Sequence, residues 1–200
     1  MKNQNVVLTL TFFVLFSSLS TIALAKKKKK GGFYQGQNTA HVGIGFPSMI
    51  NASKNDLNVY GEAKRSGMPP ISLRFESALT KSISFGGFLG YSKEKITVTD
   101  RTNPKNINGF DYSFTVVGGR LGFHIPLKSK KLDPYAAALL GYTLTKGKPF
   151  GENNYFDEPK SMLAYGIHAG VNYYLQPKIA LFAEVGYGFA LVNAGLTVRF

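Results

Sequence analysis

The chain has 200 residues, a length that predicts a single domain. It contains no cysteine, which excludes disulfides, thiolate nucleophiles and thiolate metal ligands. The formal net charge of +13 at pH 7 favours anionic partners.

The first 25 residues have the three parts of a secretory signal peptide. Lys2 is followed by an apolar stretch from Val6 to Ile22, and the segment ends on Ala-Leu-Ala at 23–25. Serines and threonines dilute the stretch, which disfavours a membrane-anchoring helix. We therefore predict cleavage after Ala25 and export of the mature chain. Because exported proteins rarely meet nucleic acid, no nucleic-acid partner is expected, and lipid phosphates are the more accessible anions.

The mature chain opens with the run Lys26–Lys30, followed by two glycines. A segment of this composition has nothing to bury. The sequence predicts a basic, disordered arm over residues 26–38, whose role it does not reveal.

From Thr39 to Phe200 apolar residues recur at every second position, in runs bounded by Gly, Pro, Asn and Lys. Most of these runs approach the roughly 9–11 residues that a tilted strand needs to cross a membrane. Eight strands are predicted, over Thr39–Phe46, Pro70–Leu79, Ile83–Ser92, Tyr112–Ile125, Asp133–Leu144, Met162–Leu175, Ile179–Gly188 and Ala190–Phe200.

The connections between these strands alternate in length. Those at 80–82, 126–132 and 176–178 are short, whereas those at 47–69, 93–111 and 145–161 are long and polar. Short periplasmic turns and long extracellular loops are typical of an outer-membrane barrel. Residues 39–200 are thus predicted to form an all-β, eight-stranded antiparallel up-and-down transmembrane barrel, with both mature termini in the periplasm.

The two faces of each strand can be assigned by parity, because side chains alternate across a strand. One face of the last strand is continuously apolar: Val192, Ala194, Leu196, Val198 and Phe200. The other carries Asn193, Gly195, Thr197 and Arg199. Polar faces of this chain are also rich in glycine, which suits a crowded interior, so we predict that the apolar faces contact lipid. The all-apolar segment Ala136–Leu140 leaves the parity of the fifth strand open.

Parity places several ionisable side chains in the lumen. Because opposite charges in a water-poor interior must pair, we predict a salt-bridged plug, with a gated polar path for small solutes as the alternative. The predicted polar network comprises Arg74, Glu76, Arg120, Glu184, His168 and Arg199, with His41 and His124 also facing inward.

The sequence offers no pattern for catalysis, a metal site or a cofactor. The three long loops contain no histidine that could act as a base, and all three histidines lie on different strands without metal-ligand spacing. We therefore predict a non-enzymatic protein without a metal or cofactor. The mixed charges of the loops suggest contacts with lipopolysaccharide phosphates or with an extracellular ligand, which the sequence does not identify.

The ending Gly195-Leu196-Thr197-Val198-Arg199-Phe200 and the segment Pro177–Gly188 resemble small outer-membrane barrels of the OmpA/OmpX type and the porin-like barrel domains abundant in Bacteroidetes. The resemblance implies that Phe200 is part of a signal read by the barrel-assembly machinery. It also implies a structural or porin-like role in the Gram-negative envelope, with surface loops for binding. The alternatives are a narrow solute or ion channel and a lipid A-modifying enzyme.

Overall fold

The computed structural model describes residues 32–48, 61–100, 107–151 and 160–200. The predicted signal peptide, its cleavage site at Ala25 and the run Lys26–Lys30 lie outside these ranges. No helix in the described part of the chain is long and apolar enough to cross a membrane.

The alternating sequence pattern produces strands throughout the described residues. They are β1 (Asn38–Ser48), β2 (Gly61–Ala78), β3 (Ile83–Asp100), β4 (Ile107–His124), β5 (Leu132–Phe150), β6 (Met162–Gln176), β7 (Ile179–Tyr187) and β8 (Ala190–Arg199). Each strand pairs antiparallel with the next, and β8 pairs with β1, which closes the barrel. The predicted all-β, eight-stranded, up-and-down barrel is confirmed.

The bounds predicted for the three long loops were wrong. β2 begins at Gly61, β3 continues to Asp100, β4 begins at Ile107 and β5 continues to Phe150, so much of each predicted loop is strand. These extensions are paired: Lys95 lies opposite Asp111, which also lies opposite Lys148. Polar residues suit strands that continue beyond the lipid, because the outer face of the barrel no longer needs to be apolar there. The polar composition of these segments therefore did not indicate loops.

The extensions make the barrel asymmetric. β2 to β5 have 18 or 19 residues each, whereas β6, β7, β8 and β1 have 15, 9, 10 and 11. We call the side formed by β2 to β5 the tall wall. At the end of the barrel away from the strand extensions, the strands are connected by residues 79–82, 125–131 and 177–178, and we call this the short-turn end.

Burial follows the predicted parity. Apolar side chains such as Leu73, Ile167 and Leu196 are exposed on the outer face, while their polar neighbours along each strand are buried in the lumen. The parity left open for the fifth strand is now fixed, since Ala137 and Leu139 are buried. We call this exposed apolar outer surface the apolar belt, and in a transmembrane barrel such a surface contacts lipid.

Candidate functional site

The centre of the lumen holds four charged side chains from three strands. Arg74 and Glu76 lie on β2, Arg120 on β4 and Glu184 on β7, and all four are buried. They reach one another because β2, β4 and β7 stand on different sides of a closed barrel whose neighbouring inward positions are often glycine. We call these four residues the ionic layer.

Glu184 is the hub of the ionic layer. Its Oε2 accepts hydrogen bonds from Nη1 of Arg74 at 2.6 Å and from Nη2 of Arg120 at 2.8 Å. The Tyr135 hydroxyl donates to the same oxygen at 3.0 Å, and the side-chain amide of Asn193 donates to Oε1 at 3.3 Å. A buried carboxylate with this many donors recovers much of the hydration it has lost.

Glu76 completes the layer. Nε of Arg120 lies 3.1 Å from Oε1 of Glu76, an ion-pair distance without hydrogen-bond alignment. The guanidinium carbons of Arg74 and Arg120 also lie 4.3 Å and 5.7 Å from the ring centres of Phe182 and Tyr135. Aromatic faces attract cations electrostatically, so these rings stabilise charges that have left water.

A second polar chain, which the sequence analysis did not identify, runs from Glu76 around the lumen towards the short-turn end. Each link is a hydrogen bond between buried side chains, and the last residue bonds the backbone of Glu76. Its members, in order, are Ser84, His124, Asp133, Asn172, Thr197, His41 and Thr39. The shortest links are 2.7 Å, between Nδ1 of His124 and Oδ1 of Asp133 and between Thr197 and His41. The neutral members gave no charge signal, and the undecided parity of the fifth strand hid Asp133.

Two predicted network members face the lumen but do not join the ionic layer. His168 is buried on β6, and its Nδ1 has no hydrogen-bond partner among the described residues. Arg199 lies at the short-turn end of β8, far along the strand from Asn193 beside Glu184. The height of Arg199 on β8 separates it from the carboxylates, whereas His168 lies on the strand paired with that of Glu184, two residues away in the register. That both belong to one polar network of the lumen stays a prediction.

Arg199 is instead held by carbonyls and rings. It donates to the carbonyl oxygens of Gly32 at 2.6 Å and Pro177 at 3.2 Å. Its guanidinium carbon lies 4.0 Å and 5.0 Å from the ring centres of Tyr174 and Tyr34. Arg199 thus ties the N-terminal segment to the barrel.

Residues 32–37, which we call the mouth segment, cover the short-turn end of the lumen. The Phe33 ring stacks on His124 at 3.6 Å, and the backbones of Gly36 and Gln37 each form a 2.9 Å hydrogen bond with the backbone of Ala78. Asn38, the last residue of the predicted disordered arm, already belongs to β1. The prediction of disorder is wrong over 32–38, because aromatic residues in the segment find partners in the lumen.

An apolar cluster lies on the side of the ionic layer that faces away from the mouth segment. It comprises Phe88, Val116, Leu139, Phe189 and Ala190, and we call it the apolar layer. Phe189 turns inward directly after Gly188, whose φ of +126° favours glycine, and meets Phe88 edge-to-face at 5.3 Å. A Cβ at Gly90 would lie 2.5 Å from the Phe189 ring, so glycine there makes room for the ring.

Phe200, the predicted assembly signal, has a different environment. Its side chain is 60% exposed on the outer face, 5.7 Å from Phe75 between ring centres. Its role as a signal stays a prediction. The described residues contain no group of three or more His, Asp or Glu placed to hold a metal ion.

Comparison with known proteins gives one family and a set of solved barrels. The chain matches the family described as "Outer membrane protein beta-barrel domain" over residues 11–197. The outer membrane protein OprG from Pseudomonas aeruginosa is 11% identical, with a TM-score of 0.56, covering 86% of this chain and 99% of OprG. The N-terminal barrel domain of Pseudomonas aeruginosa OprF is 14% identical, with a TM-score of 0.49, covering 84% and 99% of the two chains. No curated protein matches.

The likeness to OprG concerns the fold alone, and the family match carries the assignment. The family match extends over most of the chain, and it agrees with a closed barrel whose apolar side chains face outward and whose ionic layer is paired inside. These features are what an outer-membrane location requires of a barrel. This chain is therefore a member of the outer membrane protein beta-barrel domain family.

Proposed function

We propose that this protein is a closed structural barrel of the outer membrane, which does not conduct solutes and offers its tall wall for contacts outside the cell. The observation that carries the proposal is the ionic layer. Arg74 and Arg120 are each only 1% exposed, and both donate to Glu184 in the middle of the lumen. An eight-stranded barrel leaves an interior just wide enough for side chains to fill.

Opening a path would require Glu184 to leave its arginines. Breaking a buried ion pair costs about 3–5 kcal/mol, so the open form would be populated at about one molecule in a hundred to one in several thousand. The apolar layer, with Phe189 against Phe88, is a second barrier in series. The mouth segment is a third, at the short-turn end.

The second candidate is a narrow ion path, and one observation favours it. Nε and Nη2 of Arg74 are buried without a hydrogen-bond acceptor among the described residues. Unused guanidinium donors in a lumen stabilise anions. A conducting form of this barrel would therefore prefer anions to cations.

We also propose that the protein is not an enzyme, in contrast to the third candidate, a lipid A-modifying barrel. Lipid-modifying chemistry needs a base near the acyl chains or head groups. His41, His124 and His168 are all buried in the lumen, on the side of the wall away from lipid. This placement supports a non-catalytic role.

The proposed orientation places both ends of the mature chain in the periplasm. Gly32 and Arg199 meet at the short-turn end, so the two ends of the described barrel lie together. Short turns face the periplasm in bacterial outer-membrane barrels, and extensions such as the tall wall face outward.

Conductance in planar bilayers tests the closed barrel. Wild-type protein, with folding verified by heat-modifiable electrophoretic mobility, should give no current steps. The double variant Arg74→Ser with Glu184→Ser removes one charge of each sign and leaves Arg120 beside Glu76, and it should also give no steps, because the apolar layer and the mouth segment still close the lumen. Anion-selective steps from the wild type would favour the ion path, and loss of acyl chains from lipid A on incubation would favour the enzyme. The wild-type trace alone decides between closed and conducting.

A further inference from the structure

Lysines on the tall wall share one face. The pairing aligns Lys93 of β3 with Ser113 of β4, which also aligns with Lys146 of β5. Two residues further along, Asp111 is aligned in the same way with both Lys95 and Lys148. Paired residues point to the same side of a sheet, and all four lysines are exposed. We call Lys93, Lys95, Lys146 and Lys148 the four-lysine face.

The strand geometry sets the size of this face. Lysines on one strand are two residues apart, or about 7 Å, and β3 and β5 stand on either side of β4, about 10 Å apart. Flexible lysine stems can bring their ammonium groups together over an area of this size. With Asp111 as the acid between them, the face carries a net charge of +3.

The lysines are not neutralised by the described part of the protein, in which none of the four forms an ion pair. Nζ of Lys95 instead lies 4.6 Å from the ring centre of Phe150, and Nζ of Lys93 lies 5.9 Å from that of Tyr91. Like charges crowded on one sheet face destabilise it unless a counter-ion binds. The charges are therefore available to an external anion.

The face begins where the apolar belt ends. The next paired row towards the short-turn end consists of Tyr91, Thr115 and Leu144, and the row after it contains Leu89 and Val117. Leu89, Val117 and Leu144 are exposed on the outer surface. The lysines thus stand at the depth where lipid head groups meet acyl chains.

Among the described residues, the basic side chains without an ion pair on β3 to β5 of the wall lie on its outer side, whereas Arg65 on the inner side of β2 pairs with Glu94 at 3.2 Å. On the same strand extensions, the inward positions Ile96, Phe110 and Tyr112 form a buried apolar cluster. The alternation therefore separates the four lysines on the outer face from an inner face that combines this apolar cluster with one internal ion pair. Such sorting indicates a specific environment outside the wall rather than general solubility.

We propose that the four-lysine face binds the phosphate groups of the outer-leaflet glycolipid, with its acyl chains lying on the apolar belt below. This inference rests on the orientation proposed above, in which the tall wall faces outward. The apolar belt directly beneath the lysines favours a lipid as the source of the phosphate, because acyl chains cover exposed apolar side chains and a soluble anion does not.

The test uses native mass spectrometry of the folded barrel in zwitterionic detergent. The probes are diphosphoryl lipid A and the same lipid A after chemical removal of its phosphates. The test variant changes the four lysines of the face to Gln, and the control variant makes the same change in charge at Lys81, Lys128, Lys130 and Lys131, which are exposed in the short turns. The wild type and the control should bind lipid A at least tenfold more tightly than the dephosphorylated form.

The test variant should lose that preference while keeping its heat-modifiable mobility. Equal preference in the test variant and the wild type would overturn the proposal, as would equal loss in the control. Inositol hexaphosphate serves as the soluble probe, and binding as tight as that of lipid A would assign the face to soluble polyanions instead. Current steps in bilayers would contradict the closed barrel without affecting this binding, so the two failures are distinguishable.

Discussion

Glu184 on β7 and Arg74 on β2 meet across the lumen, with 2.6 Å between Oε2 of the carboxylate and Nη1 of the guanidinium. The same oxygen contacts Arg120 on β4 at 2.8 Å. One carboxylate thereby links three strands that are not neighbours in the barrel. The cross-section is held from inside by this contact as well as by the ladder of backbone hydrogen bonds.

Replacing Glu184 with Gln should strongly destabilise the barrel. The change leaves Arg74 without an anionic partner and removes one of the two carboxylates of Arg120. Breaking a buried pair from one side costs about 3–5 kcal/mol, and urea unfolding in detergent micelles measures the free energy of unfolding. As the control, Lys178→Gln removes an exposed charge in a turn and should change that free energy by about 0.5 kcal/mol or less. Similar losses in the two variants would show that Glu184 contributes no more than a surface charge.

Gly90 and Phe189 should be energetically coupled. Gly90→Ala places a methyl group against the Phe189 ring, an overpacking that costs about 1–3 kcal/mol. In a Phe189→Ala background the space is free, so the same Gly90→Ala change should cost about 1 kcal/mol or less. A double-mutant cycle of unfolding free energies measures the difference. If the Gly90→Ala cost were the same in both backgrounds, Phe189 would not occupy the lumen beside Gly90.

Arg199→Gln should weaken the attachment of the mouth segment. Arg199 donates to the Gly32 carbonyl and stacks on Tyr174, and losing a desolvated cation–π contact together with charged hydrogen bonds should cost about 2 kcal/mol or more. Amide hydrogen exchange of Gly36, whose N–H donates to Ala78, should also become faster. Lys178→Gln removes an exposed charge in a turn at the same end and is the matched control. An unchanged exchange rate at Gly36 in Arg199→Gln would show that Arg199 does not hold the mouth segment on the barrel.

The outer face of β5 should tolerate charge according to depth. Leu140 lies within the apolar belt, whereas Leu144 lies in the row next to the four-lysine face. Leu140→Arg should cost about 2–4 kcal/mol in lipid vesicles, and Leu144→Arg only about 0–1 kcal/mol. Unfolding of each variant in vesicles provides the comparison. Equal costs at both positions would mean that the belt does not end where the lysines begin.

The strands and their faces could be predicted because they depend on local alternation. The inward set of Arg74, Glu76, Arg120 and Glu184 followed from parity alone. Parity failed over Ala136–Leu140, where both faces are apolar: Ala137 and Leu139 fill the lumen while Ala138 and Leu140 stand outside. Only the pairing with β4 and β6 decides which face of such a strand points into the lumen.

Which partners meet could not be predicted, because that depends on register and on height in the barrel. His168 and Arg199 share the lumen with Glu184, but Arg199 stands at the short-turn end. The mouth segment gave no periodic signal, since Phe33 and Tyr34 act as single anchors on His124 and Arg199. The four-lysine face was equally hidden, because its members come from two segments that were predicted as loops.

The central claim is that the folded lumen is closed to water-soluble molecules, and thiol accessibility tests it most directly. The chain has no cysteine, so a single Ala137→Cys change places one thiol beside the ionic layer, and Lys128→Cys places one in an exposed turn. In detergent micelles, where solvent reaches both ends of the barrel, a charged maleimide should modify Lys128→Cys rapidly and Ala137→Cys only after unfolding. Modification of folded Ala137→Cys at the rate of Lys128→Cys would contradict the closed barrel.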